Sequence, residues 1–334
     1  MQIIKAFKHQ FGANRKKADS RMWAYMLAKF IANLSIALIL IGLSYIILYP
    51  LIYSISQAVR TQSDMYDTTI IFIPKHFTLE NFKTAWTVLD FPTALKNTFN
   101  ISFWSTILQV CSCALAGYGF ARFKFRGKNL LFFLVLLTII VPPSTIMAPL
   151  YTSFRQFDPL YVATAMNAFG WISEPYLELT DSLWSFILPA FFASGLKSGL
   201  FVFVYRQFFQ GFPKELEEAA YIDGCGSMKT FLRILVPNAV PAFTTVFLFC
   251  IVWYWNDYYT VPMFVPNMDT LPSMLGNMHS NMTTYGGAFR GMDTIALYPI
   301  LRAGIVLYIS PLLITFIILQ RKFTESIARS GIVG

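Results

Sequence analysis

The chain has 334 residues, of which 56% are hydrophobic and 13% charged, with a mean hydropathy of +0.54 and a formal net charge of +9. Soluble domains carry about 25% charged residues, so an ordinary water-soluble globule is excluded, and the apolar residues gather in runs long enough to span a bilayer. The positive balance does not point to nucleic acid, because Lys and Arg fall in short loops beside those runs, where they act as topology signals.

Residues 1–28 form a polar, basic arm with Lys5, Lys8, Arg15, Lys16, Lys17 and Arg21. The apolar run at about 30–55 is too long for a signal-peptide core and ends without a small-residue cleavage site, which predicts a retained transmembrane helix. In the loop 56–96, Thr78-Leu79-Glu80 opens an amphipathic stretch through Trp86 and predicts a short interfacial helix. Further runs of spanning length cover about 97–121, 129–152, 183–205, 238–262 and 303–320. The expectation is an all-α integral membrane protein with six transmembrane helices. Val141-Pro142-Pro143, Pro189 with Gly195, and Pro262 put breakers in or at the end of three of these. Proline frees carbonyls that protein or water must satisfy, so such helices line a bundle interior or carry packing kinks. Residues 154–182 read as an aromatic-rich external loop with Glu174, Glu178 and Asp181, and 266–294, with Gly286-Gly287, as irregular.

Basic residues mark the cytoplasmic side. The arm through Lys29, the loop 122–128, the loop 206–233 and the tail with Arg321, Lys322 and Arg329 hold 18 of the 26 basic residues. Both termini are therefore expected inside. Cys111, Cys113, Cys225 and Cys250 lack the setting of a disulfide framework, and His9, His76 and His279 are scattered, so no metal site is expected.

One stretch breaks the apolar pattern: "EEAAYIDGCGSMKTFLRILVP", 217–237. Glu215, Glu217 and Glu218 suit a helix start, Ala219 and Ala220 offer a small-residue face, and Gly224 and Gly226 permit a sharp turn. A second amphipathic run, Met228 to Leu235, leads to Pro237 at the start of the fifth span. This predicts a helix–turn–helix on the cytoplasmic surface, joined to two spanning helices and able to transmit force from a soluble partner.

Glu218-Ala219-Ala220, Asp223-Gly224 and Ile234-Leu235-Val236-Pro237 at this spacing resemble the EAA loop of binding-protein-dependent ATP-binding-cassette (ABC) importer permeases; Val236 stands where the family usually has Leu. The segments 117–151, 205–224, 255–265 and 320–334 are similar to carbohydrate-uptake permeases, specifically the smaller maltose-type subunit. The long 154–182 loop and the long basic arm depart from that pattern.

The resemblance implies a type I importer (MetI-like) fold with a permease domain over 29–320, a coupling loop at about 211–237 and a cytoplasmic tail at 321–334. It implies that Glu218, Ala219, Ala220, Asp223, Gly224, Ile234 and Pro237 meet an ATPase. It further implies a prokaryotic inner-membrane location, a second homologous permease, two ATPase subunits that bind ATP and Mg, an external sugar-binding protein and a carbohydrate substrate.

No phosphate-cradling G-x-x-x-x-G-K-[ST] occurs, and no catalytic constellation rises above chance, so an enzyme and a chain-bound cofactor are not expected. Polar residues at membrane depth mark candidate pathway positions. Lys197, placed near the middle of the fourth span, either contacts substrate or pairs with a carboxylate or freed carbonyl. Trp255-Asn256-Asp257-Tyr258 offers stacking and hydrogen bonding to a sugar, or belongs to an interfacial aromatic belt. Arg155, Arg290 and Lys197 are too few to establish an anionic solute, leaving polyols, glycerol phosphate and acidic oligosaccharides open. An ion-coupled carrier would predict paired internal repeats with broken helices, and none is evident.

Overall fold

A computed structural model describes the backbone of residues 2–284, 287, 289 and 291–330, and their side chains except for 2–21, 23, 24, 160 and 321–330. Gly286 and Arg290, and the side chains of the basic arm and tail, lie outside the described residues. Among the described residues the regular elements are helical, and β pairing is limited to the bridges Arg60–Phe77 and Phe157–Leu177.

The chain opens with α1 (Gln2–Ala58), whose segment Tyr25–Ala58 is long and apolar enough to cross a bilayer. Its side chains from Leu27 to Leu48 are exposed, as a helix surrounded by lipid requires, while its last turns, with Ser54, Gln57 and Ala58, are buried. Next come α2 (Gln62–Tyr66) and α3 (Glu80–Val88). A short helix does follow Thr78, namely α3, and the Thr78 hydroxyl accepts the Glu80 N–H at 3.1 Å.

The central rod is α4 (Phe91–Arg122), which buries Ala94, Thr98, Ile101, Ser105, Gln109, Cys113 and Gly117 along one helical face. The third expected span is two helices, α5 (Lys128–Ile140) and α6 (Pro143–Arg155), bent by 106°. The bend falls at Pro142-Pro143, where neither residue can donate an N–H to continue the ladder. An irregular stretch follows with α7 (Val162–Ala168).

The fourth expected span is also broken: α8 (Trp184–Phe191) and α9 (Ser198–Gln210) are separated by 192–197. Then come α10 (Glu215–Ile222), α11 (Ser227–Thr230), a π-helical turn (Phe231–Leu235) and α12 (Val236–Asn238). The fifth span, α13 (Val240–Trp255), ends short of 262, and Pro262 lies instead in α14 (Thr260–Phe264). The stretch expected to be irregular contains α15 (Leu271–Thr284), before α16 (Thr294–Ser330) closes the chain.

Among the described residues three helices are long and apolar enough to cross a bilayer unbroken, and two bent pairs raise the number to five; the span left over from the six expected is the fourth, the interrupted α8–α9. Two apolar clusters hold the bundle. One joins α4, α9 and α13 through Tyr118, Phe201, Tyr205 and Val246. The other joins α3, α15 and α16 through Leu89, Met278 and Leu297, and includes Trp255.

Candidate functional site

Two features stand at opposite ends of the same pair of rods. Helix α9 begins at a cavity and ends at the elbow formed by α10 and α11; the chain returns through α12 into α13, whose far end reaches the cavity again. At 1.5 Å per residue, α9 and α13 are about 20 and 24 Å long. The elbow and the cavity are therefore separated by one helix length.

The elbow turns at Gly224 (φ 77°), a left-handed position that suits glycine. Its helix is fixed to the bundle by one face. Glu217 is 6% exposed and forms an ion pair with Arg122 at the end of α4, Nε to Oε1 2.5 Å, a contact close but poorly angled for a hydrogen bond. Arg122 Nη2 also donates to the Phe212 carbonyl at 2.9 Å. Phe231 packs tilted against Tyr118 (4.9 Å between ring centroids) and edge-on against Phe209 (5.8 Å), and Leu235 is fully buried.

Ala220 packs inward at 3% exposure, so the two alanines do not share an outward face, as the 100° step between neighbouring helix residues dictates. The outward face carries Glu218, Ala219, Ile222 and Asp223, with Met228 and Leu232 beside it; Ile222 is 86% exposed. Ile234 is half-buried and Pro237 exposed. The second run is a short α-helix passing into the π-helical turn rather than one regular helix.

The cavity measures about 530 Å³ and is lined by Pro143, Ser144, Met147, Leu196, Lys197, Trp253 and Asn256 to Thr260. That volume is in the range of small-molecule sites, about 300–1,000 Å³. Lys197 is not within a helix: it occupies the break before α9 with φ 57°, exposed, and forms no ion pair among the described residues. Asp257 is 8% exposed; its Oδ1 accepts the N–H groups of Thr260 (2.8 Å) and Tyr259 (3.2 Å), and its Oδ2 has no partner.

Asn256 donates to the Val252 carbonyl (2.7 Å) and accepts from the Tyr308 hydroxyl of α16 (2.5 Å). Its amide is thus partly engaged, leaving one N–H and one lone pair. The aromatic walls are Trp253, Tyr258 and Tyr259. Trp255 points away, 4% exposed in the second apolar cluster, because it lies two positions and about 200° round the helix from Trp253. Of the five expected pathway residues, the structure thus brings four together and sets Trp255 apart. Sequence reasoning missed Trp253, Tyr259 and Ser144 as lining residues, and missed Gln109, whose polar side chain in an apolar run was the available signal. Among the described residues no group of His, Cys, Asp and Glu could hold a metal ion.

A helical bundle with broken spans around a largely apolar cavity that carries a few polar groups, and a charged elbow fixed to its end, is the build of an integral membrane permease. Residues 113–329 match the binding-protein-dependent transport system inner membrane component family, and the chain belongs to that family. It is 29% identical over 297 residues to the arabinooligosaccharides transport system permease protein AraQ of Halalkalibacterium halodurans, covering 87% of this chain and 93% of that protein. It is 25% identical over 295 residues to the probable starch degradation products transport system permease protein AmyC of Thermoanaerobacterium thermosulfurigenes, covering 87% and 94%. Its fold is similar to that of a chain in the crystal structure of a bacterial ABC transporter involved in the import of the acidic polysaccharide alginate, with a TM-score of 0.66, 19% identity and coverage of 88% and 96%.

Proposed function

We propose that this chain is the permease subunit of an ABC importer and supplies half of the pathway for a sugar or oligosaccharide. The observation that carries the reading is the rod geometry: an exposed elbow with the EAA spacing and a cavity with cationic, anionic and aromatic walls are the two ends of α9 and α13. The names of the relatives support a saccharide. A second, similar permease supplies the other half, two ATPase subunits bind ATP and Mg, and an external binding protein delivers the solute. The chain itself catalyses no reaction.

The basic arm (1–28), the elbow (about 211–237) and the tail (321–334) face the cytoplasm, which the distribution of Lys and Arg supports. The bundle of 29–320 spans the inner membrane. Glu218, Ala219, Asp223 and Gly224 meet the ATPase; Ala220, Ile234 and Pro237 shape the elbow behind them. Closure of the ATPase pair on ATP displaces the elbow, and α9 and α13 carry that displacement to Lys197, Asn256, Asp257 and Tyr258. A ligand or nucleotide shifts such a two-state equilibrium only through different affinity for the two states.

The test is co-purification of this chain from membranes with an ATPase, together with cysteine crosslinking from position 222 (Ile222→Cys). A crosslink from position 222 to an ATPase is expected. Recovery of a functional transporter lacking any ATPase, or labelling of position 222 from outside the cell, overturns the reading.

A further inference from the structure

In the break between α8 and α9, Ala193 (φ 52°) and Lys197 (φ 57°) both lie in the left-handed region. Residues with a Cβ hold that conformation only where neighbours over-determine it. The neighbour here is Gln109, fully buried on α4. Its Nε2 donates to the Leu196 carbonyl at 2.6 Å and to the Ser198 hydroxyl at 2.9 Å, and its Oε1 accepts from the Tyr254 hydroxyl of α13 at 2.5 Å.

One amide therefore grips the residues on both sides of Lys197 and is itself gripped by the helix whose end forms another wall of the cavity. Gly195 is part of the same packing, since a Cβ there would meet the Tyr254 hydroxyl and lie 2.6 Å from Gln109 Oε1. Gln109 does not line the cavity, yet every bond it makes bears on where the Lys197 ammonium stands relative to Asp257.

We propose that Gln109 is a positioning residue that sets the cavity's specificity by fixing the backbone from which Lys197 reaches the solute. The proposal rests on reading the cavity as part of a saccharide path. Lys197, which forms no ion pair among the described residues, donates to solute oxygens. Only an amide of this length serves both grips: ionised glutamate keeps the acceptor for Tyr254 but lacks the donors, and methionine lacks the donors and offers Tyr254 only a weak thioether acceptor. A partly satisfied buried network loses its hold on geometry.

The test has two arms, each with Gln109→Met, Gln109→Glu, Lys197→Met and the Gln109→Met/Lys197→Met double variant. In the first, the full chain in lipid nanodiscs reacts with trinitrobenzenesulfonate over a pH series approaching the lysine pKa of about 10.4, and peptide mass spectrometry follows each lysine. Both Gln109 variants are expected to change the Lys197 rate by about fivefold or more, the equivalent of about 1 kcal/mol, while Lys96 and Lys128 keep their profiles. In the second, uptake by the complete transporter is measured with arabinotriose and with a trimeric oligouronate. Gln109→Met and Lys197→Met are each expected to raise KM for the transported probe about fivefold or more. The double variant should be no worse, because residues acting through one contact are not additive. An unchanged Lys197 profile, a general change in all lysines, or additive KM effects overturns the proposal. A wild-type transporter that takes up neither probe excludes these two saccharides as its solutes, and the Lys197 profile then judges Gln109 alone.

Discussion

Arg122 and Glu217 are both nearly buried, and each is the other's only opposite charge within ion-pair distance among the described residues. Taking one partner away leaves an uncompensated charge out of water, which costs about 3–5 kcal/mol. Glu217→Ala or Arg122→Ala should lower the thermal midpoint of the detergent-solubilised chain accordingly, and Arg122→Glu/Glu217→Arg should recover part of it. If the single variants melt with wild type, the elbow is not held by this pair. A second carboxylate matters in acid. Asp64 is 2% exposed and accepts the His76 backbone N–H (2.8 Å) and meets His76 Nδ1 (2.7 Å). These bonds, the backbone one foremost, hold its pKa below the usual carboxylate value of 3.8 in spite of burial. A depressed folded-state pKa means the stabilisation is complete above 3.8 and is lost as pH falls through the folded value. Amide exchange over 60–78 should therefore rise steeply as acid is added below that value in wild type, and Asp64→Asn should flatten the dependence; parallel curves would remove Asp64 from the account.

The elements that matter most are the interrupted ones, and each interruption has a different cause. At Pro142-Pro143 it is covalent: two missing donors bend the chain by 106°. At 192–197 it is held by tertiary contacts, and Gly195→Ala should show it. The added methyl meets two buried atoms already bonded to each other. Overpacking of this kind costs about 1–3 kcal/mol, to be read as a lowered thermal midpoint with faster exchange at 192–198; a variant indistinguishable from wild type would mean the break is slack. The contrast explains what could be read from the sequence. The doubled proline and the EAA spacing are local, so the position of the bend and the existence of the elbow were legible there. Pro189 and Gly195 likewise marked an interruption in the fourth span, but what holds the α8–α9 break was not legible: it depends on Gln109 and Tyr254, residues 87 and 58 positions from Leu196, and no local pattern joins them. Helix α15 was hidden for a related reason: Asn, Ser and Thr lower its intrinsic propensity, and burial of Leu271, Met278 and Met282 against α16 outweighs that. Trp255 offers in the sequence an aromatic face beside hydrogen-bonding groups, but helix geometry gives the cavity wall to Trp253.

At the scale of the whole molecule, rods of about 20 and 24 Å convert a push on the elbow into a movement at the cavity only if neither end slips. The elbow end is clamped by Arg122–Glu217 and by Phe231 and Leu235 in the core; the cavity end is clamped by Gln109 and by the Asp257 cap on Tyr259 and Thr260. Glu218 lies outside both clamps, exposed on the elbow's outward face. A charge reversal there, Glu218→Lys, leaves the buried contacts of the permease intact, and surface substitutions of this kind change stability by about 0.5 kcal/mol or less. On the proposed docking role it inverts the charge offered to the ATPase, and a charge mismatch across an interface costs several kcal/mol. The variant should therefore insert and melt like wild type, bind the ATPase at least about tenfold more weakly, and lose solute-stimulated ATP hydrolysis in the reconstituted complex. Arg122→Ala should fail in the opposite order, losing stability first and coupling as a consequence. If Glu218→Lys kept full stimulated hydrolysis, force would have to enter the bundle elsewhere, and the rods would be supports rather than levers.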